Sequence, residues 1–279
     1  KETFKSGLNL ILECDREDNI LSLTFPNSWD FTIPSYSLYV FEQFLIYYRF
    51  TKDKDLLKKA HPKLVSILNA FIDKFDGKLI SNFYGPSYWN YYEWVDGLSN
   101  HSSKNDALIN MMMVNALNNM IQIDKILGIE NNYLDLVKKL KKNINKYYFN
   151  KEDGLYIFSK ENSKYYKIVN SFAVVSKVCN SINAKKICEK LVNSDELIDT
   201  SLSMKCYIYD ALLMIDENKY KEYVLNDIDR IFKHQLDNGA TTFWETENGG
   251  NDFDGAGSLC HAWSSLAIYY YNKLGLVKK

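Results

Sequence analysis

Three stretches of the sequence combine tryptophan with carboxylates. The first, Phe25 to Pro34, carries Trp29 and Asp30. The second, Tyr88 to Gly97, carries Trp89, Glu93, Trp94 and Asp96. The third runs from Thr241 to Trp263 and holds Trp244, Glu245 and His261. All five tryptophans fall in or beside these stretches, and only Trp263 lacks a nearby acid. That pairing suits carbohydrate chemistry. The apolar face of a pyranose packs on an indole, while acids bond hydroxyls or move protons. Hydrolysis of a glycoside needs two carboxyl groups, an acid for the leaving oxygen and a base or nucleophile. A single Trp/acid pair is better read as an aromatic plug beside a helix-capping acid. Three such loops together favour a sugar site.

These loops are positioned by helices. An apolar stripe with a 3.6-residue period marks residues 2–13, 54–74, 105–127, 131–147 and 218–236. Gly128 and Gly239 stand where a left-handed cap should end two of them. Residues 36–50, 168–180, 183–193, 202–215 and 258–274 read as less regular helices. Lys78 to Tyr84 and Gly154 to Phe158 read as extended, and small hairpins at one rim are expected there. No Pro/Gly/Ser-rich linker divides the chain, so one domain over 1–279 is expected. Successive helical pairs without self-similarity at a fixed period favour a closed ring of helical hairpins over a repeat solenoid.

The formal net charge is −1 and no basic patch stands out, so neither nucleic acid nor an anionic membrane surface is an expected partner. No run of about 18 apolar residues suggests a membrane span. Five cysteines without a CxxC pair suggest buried thiols in a reducing, cytoplasmic setting. The four histidines lack metal-ligand spacing and there is no glycine-rich phosphate loop, so neither a metal nor another cofactor is expected.

The third stretch contains Gly239-Ala240-Thr241-Thr242-Phe243-Trp244-Glu245 and, after it, Ser258-Leu259-Cys260-His261-Ala262-Trp263-Ser264. Together these segments resemble the C-terminal signature of the bacterial α-L-rhamnosidases. Weaker similarities follow in order: Trp29-Asp30 before Ile33-Pro34, Tyr48 to Leu57, Glu93-Trp94, and Ser201 to Leu213. The resemblance implies an all-α (α/α)6 toroid and an inverting hydrolase of terminal α-L-rhamnosides. It implies Glu245 as general base and His261 as a residue lining the sugar pocket. Trp29, Trp89, Trp94 and Trp244 would be stacking surfaces, with Asp30, Glu93 and Asp96 as hydroxyl-binding acids.

Two departures accompany the resemblance. Glu93 stands where the family has aspartate, which would alter reach and could accompany a different sugar. The acidic, arginine-containing loop that carries the family's general acid is absent from these residues. With about ten helices read, the expectation is an N-terminally truncated toroid lacking its first hairpin. The competing readings are another six-hairpin glycosidase, fucosidase-like or acting on unsaturated glucuronyl groups, and a non-catalytic helical sugar-binding module.

Overall fold

A computed structural model describes residues 2–27 and 29–276. Ser28, in the first tryptophan loop, lies outside the described residues. Among the described residues the chain is all-α apart from one two-stranded sheet. It forms two compact units, one of residues 1–92, 96–163 and 176–179, the other of 93–95, 164–175 and 180–279.

The first unit holds α1 (Glu2–Glu13), α2 (Val40–Thr51), α3 (Lys54–Ile72), α4 (Ala107–Leu127) and α5 (Tyr133–Tyr148). α4 is apolar almost all round, with Met111, Met112, Met113 and Val114 buried in succession, as a helix packed on several sides must be. It contacts α2, α3 and α5. The Asp106 carboxylate caps it by accepting from Ile109 N at 2.9 Å, and Gly128 ends it at φ +79°. α5 shows the opposite pattern. Val137, Leu140, Ile144 and Tyr148 form one buried stripe, while the lysines between them lie outside it. β1 (Phe149–Asn150) and β2 (Leu155–Tyr156) then pair antiparallel. Lys78 to Tyr84 makes no hairpin of regular strands; a single bridge joins Phe75 to Ile80.

In the second unit, α6 (Lys167–Val175), α7 (Ser181–Asn193) and α8 (Lys205–Asp237) pack on one another, and α9 (Leu266–Lys273) packs on α8. α8 is broken at Asp216, whose backbone is extended and whose carboxylate accepts from Lys219 N at 3.0 Å. The two halves therefore correspond to the helices expected at 202–215 and 218–236. The helix expected over 258–274 is shorter, and the backbone at 258–261 pairs with another segment instead. Among the described residues, no helix is long and apolar enough to cross a membrane.

Candidate functional site

The second half of α8 delivers the chain to the third tryptophan loop. Gly239, at φ +86°, turns it out of the helix, and buried Gln235 donates to Thr246 O at 2.9 Å. Residues 242–245 then lie beside 258–261. Glu245 N donates to Ser258 O and His261 N to Phe243 O, both at 2.8 Å, while the Thr242 hydroxyl donates to Leu259 O. These bonds explain why the last helix begins late: a backbone paired in this way cannot also wind into α9. They also bring the two halves of the family-like signature side by side.

The intervening loop closes on glycines. A Cβ on Gly249, whose φ is +56°, would stand 2.4 Å from Cε3 of Trp244, and one on Gly257 would stand 2.0 Å from Gly249 O. Only a residue without a side chain fits such approaches. Trp244, 7% exposed, is therefore packed on the loop backbone. Burial corrects its expected use as a stacking surface.

Glu245 has an anchored and partly open carboxylate. Its Oε2 accepts from Ser258 N at 3.0 Å, and His261 Nδ1 lies 3.9 Å away, too far for a hydrogen bond. The side chain remains 14% exposed. Trp263 Nε1 donates to Glu245 O at 3.0 Å, and the His261 ring lies over Trp263 with centroids 3.8 Å apart. A carboxylate held on one oxygen and reachable by water can take a proton. An imidazole beside it can bond a hydroxyl.

The same unit buries Glu93. Thr200 Oγ1 donates to Glu93 Oε2, as do Ser201 N at 2.7 Å and Ser201 Oγ at 3.0 Å. Oε1 is buried without a partner. Burial pushes this carboxyl up to about 7, with nearby Asp199 adding to the rise and the hydrogen bonds opposing it. At 0% exposure, Glu93 has no open face for a sugar hydroxyl, which corrects that expected role. Trp94, the next residue, is 42% exposed and lies 5.3 Å from the Phe253 ring.

A chain of alternating charges runs through this unit. Lys167 and buried Lys205 approach Asp199 at 3.1 and 3.6 Å, Lys205 reaches Asp227 at 3.2 Å, and Arg230 joins Asp227 to Glu247. Tyr209 donates to Asp227 at 2.7 Å. Burial alone would raise the Asp227 carboxyl, but Lys205 and these donors hold it below the usual range. Sequence reasoning missed this network. The Asp227/Arg230 spacing of i,i+3 was its one readable signal.

Trp29, Asp30, Trp89 and Asp96 belong to the first unit. Trp29, 58% exposed, stacks on Phe31 at 4.8 Å, and Phe31 lies 6.3 Å from Trp89. Asp30 accepts from Arg16 and from Ser87 Oγ. Arg16 also pairs with Asp18 at 2.9 Å, and Asp96 is exposed. The expected site residues thus fall into two sets, with Glu93, Trp94, Trp244, Glu245 and His261 in the second unit.

Residues 3–273 match the family model described as the bacterial alpha-L-rhamnosidase 6 hairpin glycosidase domain. No curated protein matches in sequence. Among solved structures, a GH78 family rhamnosidase of Bacillus sp. GL1 is similar with a TM-score of 0.86 at 20% identity, over 98% of this chain and 30% of that one. A rhamnosidase from Klebsiella oxytoca, solved with rhamnose bound, gives 0.81 at 17% identity, over 98% of this chain and 54% of that one. An alpha-L-rhamnosidase of Streptomyces avermitilis complexed with L-rhamnose gives 0.67 at 16%, over 95% and 26%. At these identities the structural likeness shows the fold, and the chain spans roughly a quarter to a half of the length of these relatives.

Proposed function

The chain belongs to the family of bacterial α-L-rhamnosidase six-hairpin glycosidase domains, and we propose that it supplies the sugar platform and the water-activating base of an inverting α-L-rhamnosidase. Glu245 is the base. It takes a proton from water as the water oxygen bonds to the anomeric carbon, while the glycosidic C–O bond breaks on the opposite face. The departing oxygen takes its proton from a general acid. The observation that carries this reading is the Glu245 carboxylate, fixed through Oε2 by Ser258 N and still partly open beside His261. His261 bonds a sugar hydroxyl in this scheme, and Trp94 offers an exposed ring face.

Within the first unit taken by itself, Trp29, Trp89, Asp30 and Asp96 are proposed sugar contacts. The proton donor is assigned to neither Asp30 nor Glu93. Asp30 is bonded to Arg16 and Ser87, and Glu93 is buried. Cys14, Cys179 and Cys188 are buried, as thiols of the proposed reducing, cytoplasmic setting would be.

The test is hydrolysis of a nitrophenyl α-L-rhamnoside by the 279-residue chain, with the released anomer read by NMR. Slow turnover giving the inverted anomer is expected, because nitrophenolate leaves without much protonation. Glu245→Gln should lower the rate by about 10²–10⁴-fold, the usual worth of a positioned base. Fast turnover of unactivated rhamnosides, abolished by Asp30→Asn or Glu93→Gln, would return the acid role to one of those residues. Saturable binding without any hydrolysis would favour the non-catalytic module.

A further inference from the structure

Adjacent residues of the second tryptophan loop face opposite environments. Glu93 is fully buried and Trp94 is 42% exposed, with Val95 N turned back onto Glu93 O at 2.9 Å. Three donors from Thr200 and Ser201 converge on one oxygen of Glu93. Those two residues lead directly into the helical turn Leu202–Met204 and the start of α8. There Lys205 is fixed between Asp199 and Asp227. The bonds therefore tie the tryptophan loop to a held point of the fold, and no ligand could reach the carboxyl without breaking them.

We propose that Glu93 is a positioning residue, whose buried carboxyl hooks residues 200–201 and so sets the Trp94 ring beside Phe253 as the face a sugar meets. The sugar rests on the function proposed above, whereas the hook does not. Reach matters to this role: with hydrogen bonds of 2.7 and 3.0 Å already in place, an aspartate would fall one methylene short.

The hook is also sensitive to protons. Burial raises the Glu93 carboxyl to about 7, and Asp199, itself paired with Lys167 and Lys205, adds to the rise. A loop that opened would return the group to water and to an ordinary acidity. Ionisation therefore favours the open loop, and Trp94 should lose its seat as pH climbs through about 7.

The experiment follows the Trp94 fluorescence of the whole chain, isolated by subtracting the spectrum of Trp94→Phe, from pH 5.5 to 8.5. In the wild-type chain, emission should shift to the red and acrylamide quenching should rise, with a midpoint near 7. Glu93→Gln keeps the shape without the charge and should abolish the step. Thr200→Val and Glu93→Asp should populate the open signal already at pH 6. Affinity for L-rhamnose should fall roughly tenfold across the wild-type step, about the worth of one aromatic contact. An identical step in the wild-type chain and Glu93→Gln, with helical circular dichroism intact in both, would overturn the proposal. So would a Thr200→Val chain with an unchanged Trp94 signal. A step that depends on Glu93 in a chain that fails to bind L-rhamnose would uphold the hook and reject the sugar.

Discussion

The two regions richest in tryptophan and acid are held together by different means. Around Trp29, side chains add to backbone bonds that Phe31 and Thr32 make with Leu23, Ser87 and Trp89: an indole lies on Phe31, and Asp30 reaches Arg16 and Ser87 near the surface. Around Glu245, backbone holds backbone, with residues 242–245 laid along 258–261 and two glycines closing the loop between them. The first arrangement can lose one side chain and keep its shape. In the second, shape depends on positions where a side chain has no room, and it aims Glu245 with little freedom.

The comparison is most easily broken at Gly257. Gly257→Ala would force a methyl group to within 2.0 Å of Gly249 O, so the loop must move. A loss of about 3 kcal/mol in urea denaturation is expected, the upper end for overpacking, together with loss of function. A chain as stable as the wild type would show that the 246–257 loop is not held as described.

Lys205→Met probes the charges beside that region. It removes the cation between Asp199 and Asp227, leaving Asp227 mostly buried with Arg230 and Tyr209. A loss of about 2 kcal/mol is expected, discounted because Asp199 is half exposed. Asp227 should also titrate at a higher pH than in the wild-type chain.

An effect spread over pH comes from Glu93. Its folded pKa lies above the usual value of 4.5, so the folded state binds the extra proton between about 4.5 and 7. Stability from this group should fall as pH rises through that window and level off above it. The difference in unfolding free energy between the wild-type chain and Glu93→Gln, measured from pH 4 to 8.5, should carry that slope. A difference independent of pH would remove the case for a raised Glu93.

The smallest effect should be that of Trp29→Ala. Its ring is mostly exposed, and stability should change by no more than about 0.5 kcal/mol. A loss of several kcal/mol would erase the distinction between the two regions.

Much of this was legible in the sequence because it is local. The periodicity of 131–147 marks a helix whose face holds Leu140 and Ile144, although Val137 and Tyr148, rather than the expected Leu136 and Tyr147, complete its buried stripe. Gly128 and Gly239 stop two helices at positive φ. The break at Asp216 separates two helices that the periodicity already distinguished. What stayed hidden depends on distant pairing. Residues 258–261 have helical composition, but Glu245 and Phe243 claim their backbone groups. Glu93 looks like a loop acid until Thr200 and Ser201, more than a hundred residues away, cover it. Trp244 reads as a platform because nothing in a sequence string shows that Gly249 lies against its ring.

The interleaving of the two units has a consequence for inheritance. The chain passes between them after residues 92, 95, 163, 175 and 179, and the three residues 93–95 are enclosed in sequence by the first unit although they belong to the second. A recombination event with one crossover cannot exchange either unit alone. One that falls between residues 95 and 200 would separate Glu93 and Trp94 from the residues that hold them. Substitutions at position 93 and at positions 200–201 should therefore be acquired in concert, and chimaeras of related chains should survive only when both segments come from the same parent.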